Sequence, residues 1–385
     1  MSQVHQSSAQ GLLEQSLGVP FEGGNHATLL HNGDQIFPAM LQAIAAATER
    51  VDFCTYVYWE GNIARAFAAQ LAKRARAGVK VRVLLDAFGA KRMAAELVDT
   101  MRAAGVEVRW FRPLSTWRVW RSDKRTHRKL LICDDDVGFT GGVGIATEWE
   151  GDARNPDEWR DTQVEIRGPA VRGLMAAFFD NWNEAGEWQF EERLAQPRQH
   201  TANDHIQIVR ASTTVGWTNI ATLTRALVAL SRRSIRITTA YFCPDDAIVR
   251  LLLDAHDRGV DVQLLLSGQH TDSRLSQLAG HPTVQRLLTA GIGVWRYQRT
   301  MLHAKLMTVD GQLACVGSAN LNHRSLSKDE ECTAVIASAR VASELDQRFA
   351  ADKQAAERLT PDRWRQRSLW LRLQERAARL LIEQL

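Results

Sequence analysis

The sequence predicts an α/β protein made of two pseudo-symmetric halves, each a mixed β-sheet flanked by helices, joined around one active site. Three observations carry this. Short β-branched apolar runs alternate with stretches of helical periodicity, the pattern of a sheet covered by helices. That alternation is written twice along the chain. A His-x-Lys-x4-Asp pattern occurs in both copies, as His127, Lys129, Asp134 and as His303, Lys305, Asp310, 176 residues apart.

The first half begins with the strand entry TERVDFCTYVYW. NIARAFAAQLAKRARAG follows, with apolar residues at helical spacing and a stop at Gly78, a helix C-cap. VKVRVLLD then reads as a short buried strand. A further helical stretch leads to a second Ala-Gly strand entry, RAAGVEVRWF at 102–111. The second half repeats the order with SRRSIRITTAYFCPD, a helix, AHDRGVDVQLLLSGQ and LTAGIGVWRY at 288–297. Gly78 precedes His127 by 49 residues, and Gly259 precedes His303 by 44. The polar stretch LAQPRQHTANDH, 194–205, marks the boundary. The expected organisation is an N-terminal half over 1–200, a C-terminal half over 201–357 and a basic amphipathic helix over 358–385.

With 385 residues, 45% of them apolar and 24% charged, the chain can bury a large core and is not a disordered tail. Its length suggests about two to three domains. The five cysteines, Cys54, Cys133, Cys243, Cys315 and Cys332, fall mostly in apolar runs such as KLLICD. Their number is odd and their spacing fits no zinc pattern, so a reducing compartment is expected. The start, MSQVHQSSAQGLLEQSLG, lacks the basic and apolar regions of a signal peptide. No run approaches the ~20 apolar residues of a membrane span. The net charge of +4 equals the excess of the last 28 residues, seven Arg against three acids. The remainder is neutral, which argues against a nuclease, since nucleic-acid binding needs a broad basic footprint.

In an extended strand, residues i and i+2 project to the same side, so each His-Lys pair points together. An apolar strand, LLIC or LMTV, anchors each pair, and the Asp ends the strand at a turn. Two lysines supply fixed positive donors for phosphate oxygens. One neutral histidine can attack phosphorus while the other, protonated, delivers a proton to the leaving alkoxide. That divides a phosphodiester exchange into two steps through a phosphohistidine. The lysines supply the charge stabilisation that a metal gives elsewhere, so neither metal nor other cofactor is expected. After the second motif comes GSANLNHRS, where Gly317 permits a tight turn and Ser318 and Asn320 offer short polar groups to a phosphate.

With its paired motifs the chain resembles the phospholipase D superfamily, and within it bacterial cardiolipin synthases of the type without N-terminal transmembrane helices. The likeness runs over roughly residues 24–350 and includes GNHATLLHNGDQIFPAMLQAIAAA, FTGGVGIATEW, WRDTQVEIRGPAV with FFDNW, and YFCPD. It implies two phospholipase D-like halves about a pseudo-twofold axis. It implies His127 and His303 as nucleophile and general acid, in that order, with Lys129 and Lys305 on the phosphate. Asp134 and Asp310 complete the motifs by ordering the site, and Asn320 contacts phosphate. Glu331 matches a family acid that orients an imidazole and is expected to enrich the shell around the second one. Asp161, in WRD, is its candidate counterpart, or else a capping residue. One departure stands out: Gly144 occupies the place where many members carry Asn.

The resemblance also implies a phosphatidyltransferase that makes cardiolipin from phosphatidylglycerol. The same residues suit a lipid hydrolase with water as acceptor, and a nuclease or a non-catalytic binding relative are further alternatives. Two stretches bear on lipid. FRPLSTWRVWRSDKR interleaves Trp with Arg, which suits a headgroup interface, a nucleic-acid backbone, or a solvated hairpin. In the tail, Trp370, Leu373, Ala377, Leu380 and Leu381 recur at helical spacing beside the arginines, either for an anionic membrane surface or for packing on the body. The expected partners are phospholipids and an anionic membrane, without nucleic acid, and the expected location is peripheral, at the cytoplasmic side of the cell membrane.

Overall fold

The computed structural model describes residues 2–113, 124–189, 200–211 and 218–380. Most of the Trp-Arg stretch, residues 194–199 of the expected boundary and Leu381 lie outside the described residues.

The first half comprises α1 (Ser2–Leu17), β1 (Glu22–His31), α2 (Asn32–Ala46), β2 (Arg50–Thr55), α3 (Asn62–Arg76), β3 (Lys80–Asp86), α4 (Ala95–Ala103), β4 (Glu107–Phe111), β5 (Leu130–Cys133), β6 (Val137–Gly141), β7 (Thr162–Arg167) and α5 (Val171–Glu184). The second begins with β8 (Asp204–Arg210), α6 (Asn219–Leu230), β9 (Ser234–Thr239), β10 (Phe242–Cys243), α7 (Asp246–Asp257), β11 (Asp261–Ser267), α8 (Arg274–Thr289) and β12 (Gly293–Tyr297). It continues with β13 (Leu306–Val309), β14 (Leu313–Gly317), β15 (Leu321–Asn322), α9 (His323–Ser327), β16 (Cys332–Ala337), α10 (Ala339–Gln354), β17 (Ala356–Arg358), α11 (Pro361–Arg365) and α12 (Leu369–Arg379).

The expected repeat is present, and it is joined more tightly than two adjacent domains. One sheet of 15 strands runs β17-β12-β11-β9-β13-β14-β16-β8-β1-β7-β6-β5-β2-β3-β4. Reading outward from the β8·β1 junction, the two halves list equivalent strands in the same order, with β17 the only addition among the described residues. In each half three parallel strands (β2, β3, β4; β9, β11, β12) are followed by antiparallel ones. The halves meet antiparallel through β1 and β8, with a bulge between Glu22 and Asn25. Gly78 and Gly259 close α3 and α7 at φ +88° and +87°, the left-handed backbone that glycine takes without strain.

One apolar cluster underlies each outer sheet, and a third draws on both halves, packing Phe178 and Trp182 of α5 with Ile206, Val316 and Leu345. The halves therefore share a core. Helix α1 crosses over: Leu13 is buried among the second half's residues, and the Gln207 side chain donates to the Val19 carbonyl at 2.5 Å. Ala9, Leu13 and Leu17 of α1 thus pack with the C-terminal half, although the sequence boundary assigns them to the N-terminal one.

The tail differs from the single helix expected over 358–385. Arg358 still belongs to β17, which pairs with β12, and the chain then makes the short α11 before α12. Helix α12 turns Leu371, Glu375 and Ala378 onto α8, where the buried Glu375 meets His281 at 2.8 Å and Arg367 at 2.8 Å. The described part of the stripe named from the sequence faces the other way: Trp370 is 68% exposed, Leu373 54% and Leu380 87%, and Ala377 is exposed with them.

Candidate active site

The residues of each motif stand on an extended segment just ahead of a strand, and the opposite half registers that segment. Thr126 pairs with Glu330, and the His127 N–H donates to the Glu330 carbonyl at 2.9 Å. In the other half Leu302 pairs with Arg160, and the His303 N–H donates to the Arg160 carbonyl at 2.8 Å. Strands β5 and β13 then carry the chain into the core.

The carboxylates cross between halves as well. His127 Nδ1 lies 3.0 and 3.1 Å from the two oxygens of Glu331, and His303 Nδ1 lies 2.8 Å from Asp161 Oδ2. A carboxylate at Nδ1 fixes the tautomer with the proton there and leaves Nε2 available for chemistry. This corrects the expectation that Glu331 enriches the shell of the second imidazole: it holds the first, and Asp161 holds the second. Asp161 is accordingly not a capping residue.

Each carboxylate is itself held. Ser318 Oγ donates to Glu331, Ser325 Oγ donates to it at 2.6 Å, and the Arg128 guanidinium grips the Glu331 carbonyl at 3.3 Å. Asp161 accepts from the Trp149 indole at 2.9 Å and from the Thr162 N–H at 2.8 Å. Ser318 was expected on the phosphate, but its hydroxyl is engaged by Glu331. Asn320 is buried, its N–H donates to Ser325 Oγ at 3.1 Å, and its side-chain oxygen has no partner. It lines a small cavity together with Lys305.

Burial dominates the electrostatics. It lowers the pKa of His127, and that of His303 to about 4, against the upward pull of their carboxylates. Burial alone would raise Glu331, but His127 and Lys129 outweigh it and hold the acid at about 2. The lysines are not the fixed charges expected from the sequence: burial takes Lys129 down to about 8 and Lys305 to about 7. Both lysines feel both Glu331 and Asp161, and Lys305 also feels Lys129, so the two pairs form one charge cluster. Lys129 Nζ donates to the His127 carbonyl at 2.8 Å, and Lys305 Nζ lies 3.0 Å from His303 Nε2.

Asp134 and Asp310 stand elsewhere. Each follows a four-residue strand, about 16 Å along the chain from its lysine at ~3.3 Å per residue. Asp134 accepts from the N–H groups of Thr48, Glu49 and Arg50 at 2.8 to 2.9 Å, and Asp310 from those of Arg233 and Ser234 at 2.7 and 3.0 Å. They tie the start of β2 to the end of β5, and the start of β9 to the end of β13. Their place in the motif is to fix strand register, remote from the imidazoles.

Gly144 explains the asymmetry between half-sites. A Cβ there would lie 2.8 Å from Val57 and 3.1 Å from the Trp149 ring, so no Asn fits. Gly142 abuts the Asp161 carboxylate at 2.4 Å from a hypothetical Cβ, which leaves no space for a serine such as Ser318. The Trp149 indole supplies the donor instead. Trp149 and Trp159 pack on His303 with centroids at 5.1 and 5.4 Å, and Tyr56 packs on His127 at 5.2 Å. Trp149, Ser325, Arg128 and Tyr56 were missed in the sequence reading. EW, NHRS, HRK and TYVYW lay inside or beside the quoted motifs, but nothing in their spacing separates them from core residues.

Two half-sheets joined edge to edge, each offering one imidazole and one lysine to a shared charge cluster, define a phospholipase D-like phosphotransfer fold. The chain belongs to the family described as cardiolipin synthase, PLD-like domain, which matches residues 40–155 and 225–353. It is 30% identical over 374 residues to cardiolipin synthase 1 of Bacillus anthracis, covering 94% of this chain and 73% of that protein. Against the cardiolipin synthase of Geobacillus kaustophilus it is 30% identical over 370 residues, with the same coverage of both. The crystal structure of phosphatidylserine synthase from Haemophilus influenzae Rd KW20 superposes with a TM-score of 0.74 at 14% identity, over 98% of this chain and 100% of that one, a likeness of fold.

Proposed function

We propose that this protein transfers a phosphatidyl group from one phosphatidylglycerol to another, forming cardiolipin and releasing glycerol, through a phosphohistidine on His127. The observation that carries the reading is the crossed pair of imidazole–carboxylate contacts beside two buried lysines. His127 Nε2 attacks phosphorus; the P–N bond forms and the P–O bond to glycerol breaks. His303 gives its proton to the departing oxygen. A hydroxyl of the second phosphatidylglycerol then attacks, its proton passes to His303, the P–N bond breaks and His127 is regenerated. Lys129, Lys305 and Asn320 hold the phosphate oxygens through both steps. His303 is neutral in the free site, and the incoming phosphodiester anion supplies the charge that favours its protonated form.

The membrane partner in this reading is an anionic leaflet, on the cytoplasmic side, met peripherally. No described helix is long and apolar enough to cross a bilayer. Helix α12 instead offers Trp370, Leu373 and Leu380 to the outside with Arg372, Arg376 and Arg379 exposed alongside. Each basic residue near such a surface contributes about 1 kcal/mol.

The test is purified protein with phosphatidylglycerol vesicles in EDTA-containing buffer, followed by lipid analysis. Cardiolipin with an equal amount of glycerol is expected. Phosphatidic acid as the sole product would replace the transferase with a hydrolase. Activity that EDTA abolishes and a divalent ion restores would remove the lysine-based account of charge stabilisation.

A further inference from the structure

The second half carries an exposed acid at the site, in the loop between β11 and α8, where the corresponding loop of the first half, residues 87–94 between β3 and α4, has none. Leu130 pairs with Cys54 and Leu306 with Thr238, so strand register aligns Tyr241 with Val57. A phenol therefore stands where the first half has an aliphatic side chain. Its ring meets His303 edge-on, with centroids 6.4 Å apart at 81°. Its hydroxyl donates to Asp272, at 2.7 and 2.8 Å from the two oxygens. Burial and the Asp272 charge keep that phenol protonated.

Asp272 lies in the loop between β11 and α8 and is exposed. Among the described residues it makes no ion pair, yet its field reaches both His303 and Lys305. A carboxylate has about four acceptor positions, and one phenol leaves the others open. The positive charge that the Asp272 field meets is already supplied by Lys305, and the open acceptor positions of Asp272 suit the hydroxyls of a polyol. A site built to accept from hydroxyls discriminates strongly for an alcohol that supplies them.

We propose that Asp272, oriented by Tyr241, is the alcohol-binding residue of the site. Its carboxylate accepts hydrogen bonds from the glycerol headgroup and holds the reacting hydroxyl beside His303. This rests on the transfer reaction proposed above, and it places the alcohol on the side of the second imidazole, in keeping with His303 as the proton carrier. Asp272 touches the alcohol; Tyr241 is a positioning residue. During transfer the acceptor oxygen bonds to phosphorus, its proton goes to His303 Nε2, and the P–N bond to His127 breaks.

The experiment uses the full chain with phosphatidyl-p-nitrophenol in detergent and added glycerol. The nitrophenolate leaving group offers no hydroxyl to Asp272, so its release counts phosphatidyl-enzyme formation. The readout is phosphatidylglycerol against phosphatidic acid per nitrophenol released. A hydrogen bond to a charged group is worth about tenfold to a hundredfold in rate. Asp272→Ala is expected to lower the ratio by about that factor, Asp272→Asn by less, and Tyr241→Phe to raise the KM for glycerol more than it lowers kcat. A ratio within about twofold of wild type in Asp272→Ala overturns the proposal. So does a fall in nitrophenol release and in Tm with the ratio unchanged, which marks a structural role. A wild-type enzyme that releases nitrophenol but makes no phosphatidylglycerol overturns the transfer reading itself.

Discussion

The two imidazoles differ less in their partners than in what holds those partners. Glu331 is fixed by two serine hydroxyls, Asp161 by an indole and a backbone N–H. Since each carboxylate sets the tautomer of a histidine, Glu331→Gln and Asp161→Asn should each lower kcat by about 10²- to 10⁴-fold, the range for lost acid–base orientation. Steady-state kinetics on both variants, with Tm measured in parallel, checks this; a loss under about tenfold in either denies that the contact matters. The lysines add a pH dependence. Each lysine is protonated below its lowered pKa and loses charge as pH rises through it, at about 7 for Lys305 and about 8 for Lys129. kcat/KM, which reports the free enzyme, should therefore fall on the alkaline side over pH 7–8. Lys305→Arg should move that limb upward whatever it does to the maximum, and a flat wild-type profile to pH 9 would contradict the assignment. The sequence disclosed His127, His303 and both lysines because a repeated pattern is visible in one dimension. It did not disclose that Glu331 serves His127, because a contact crossing 204 residues has no local signal.

At the scale of elements, the four-residue strands that follow the lysines lead directly into aspartates that act on backbone. Asp134 and Asp310 both sit at positive φ, +51° and +56°, and bind the entry of the neighbouring strand. Asp134→Ala should cost about 1–3 kcal/mol through lost hydrogen bonds and left-handed strain, and lower Tm by several degrees. Its kcat should stay near wild type; a large kcat loss in a protein of unchanged Tm would return Asp134 to the chemistry. Helix α12 makes the second test. Its arginines and its exposed apolar face act together, so the double variant Trp370→Glu, Leu373→Glu should weaken cosedimentation with anionic vesicles while leaving Tm within about 1 °C, since exposed positions rarely contribute to stability. Unchanged binding would shift the membrane contact elsewhere. The strands and α3 were legible from apolar runs and glycine stops. The direction of the α12 stripe was not, because amphipathic periodicity specifies a face and not what covers it: the buried Glu375, bound to His281 and Arg367, turned that face outward.

For the whole molecule, duplication was readable and its consequence was understated. Two halves were expected around one site; the structure fuses them into one sheet of 15 strands with a shared central core and α1 exchanged to the far half. That fusion is what lets each half supply the carboxylate and the backbone dock for the other half's histidine. The central claim is that the chain has one site using His127 for attack and His303 for proton transfer. Its most direct test is a quench in denaturant after mixing with phosphorus-labelled phosphatidyl-p-nitrophenol, whose departure needs no acid. His303→Ala should trap close to one label per chain on His127, and His127→Ala should trap none. Label on His127→Ala, or two labels per chain in any form, would contradict the account.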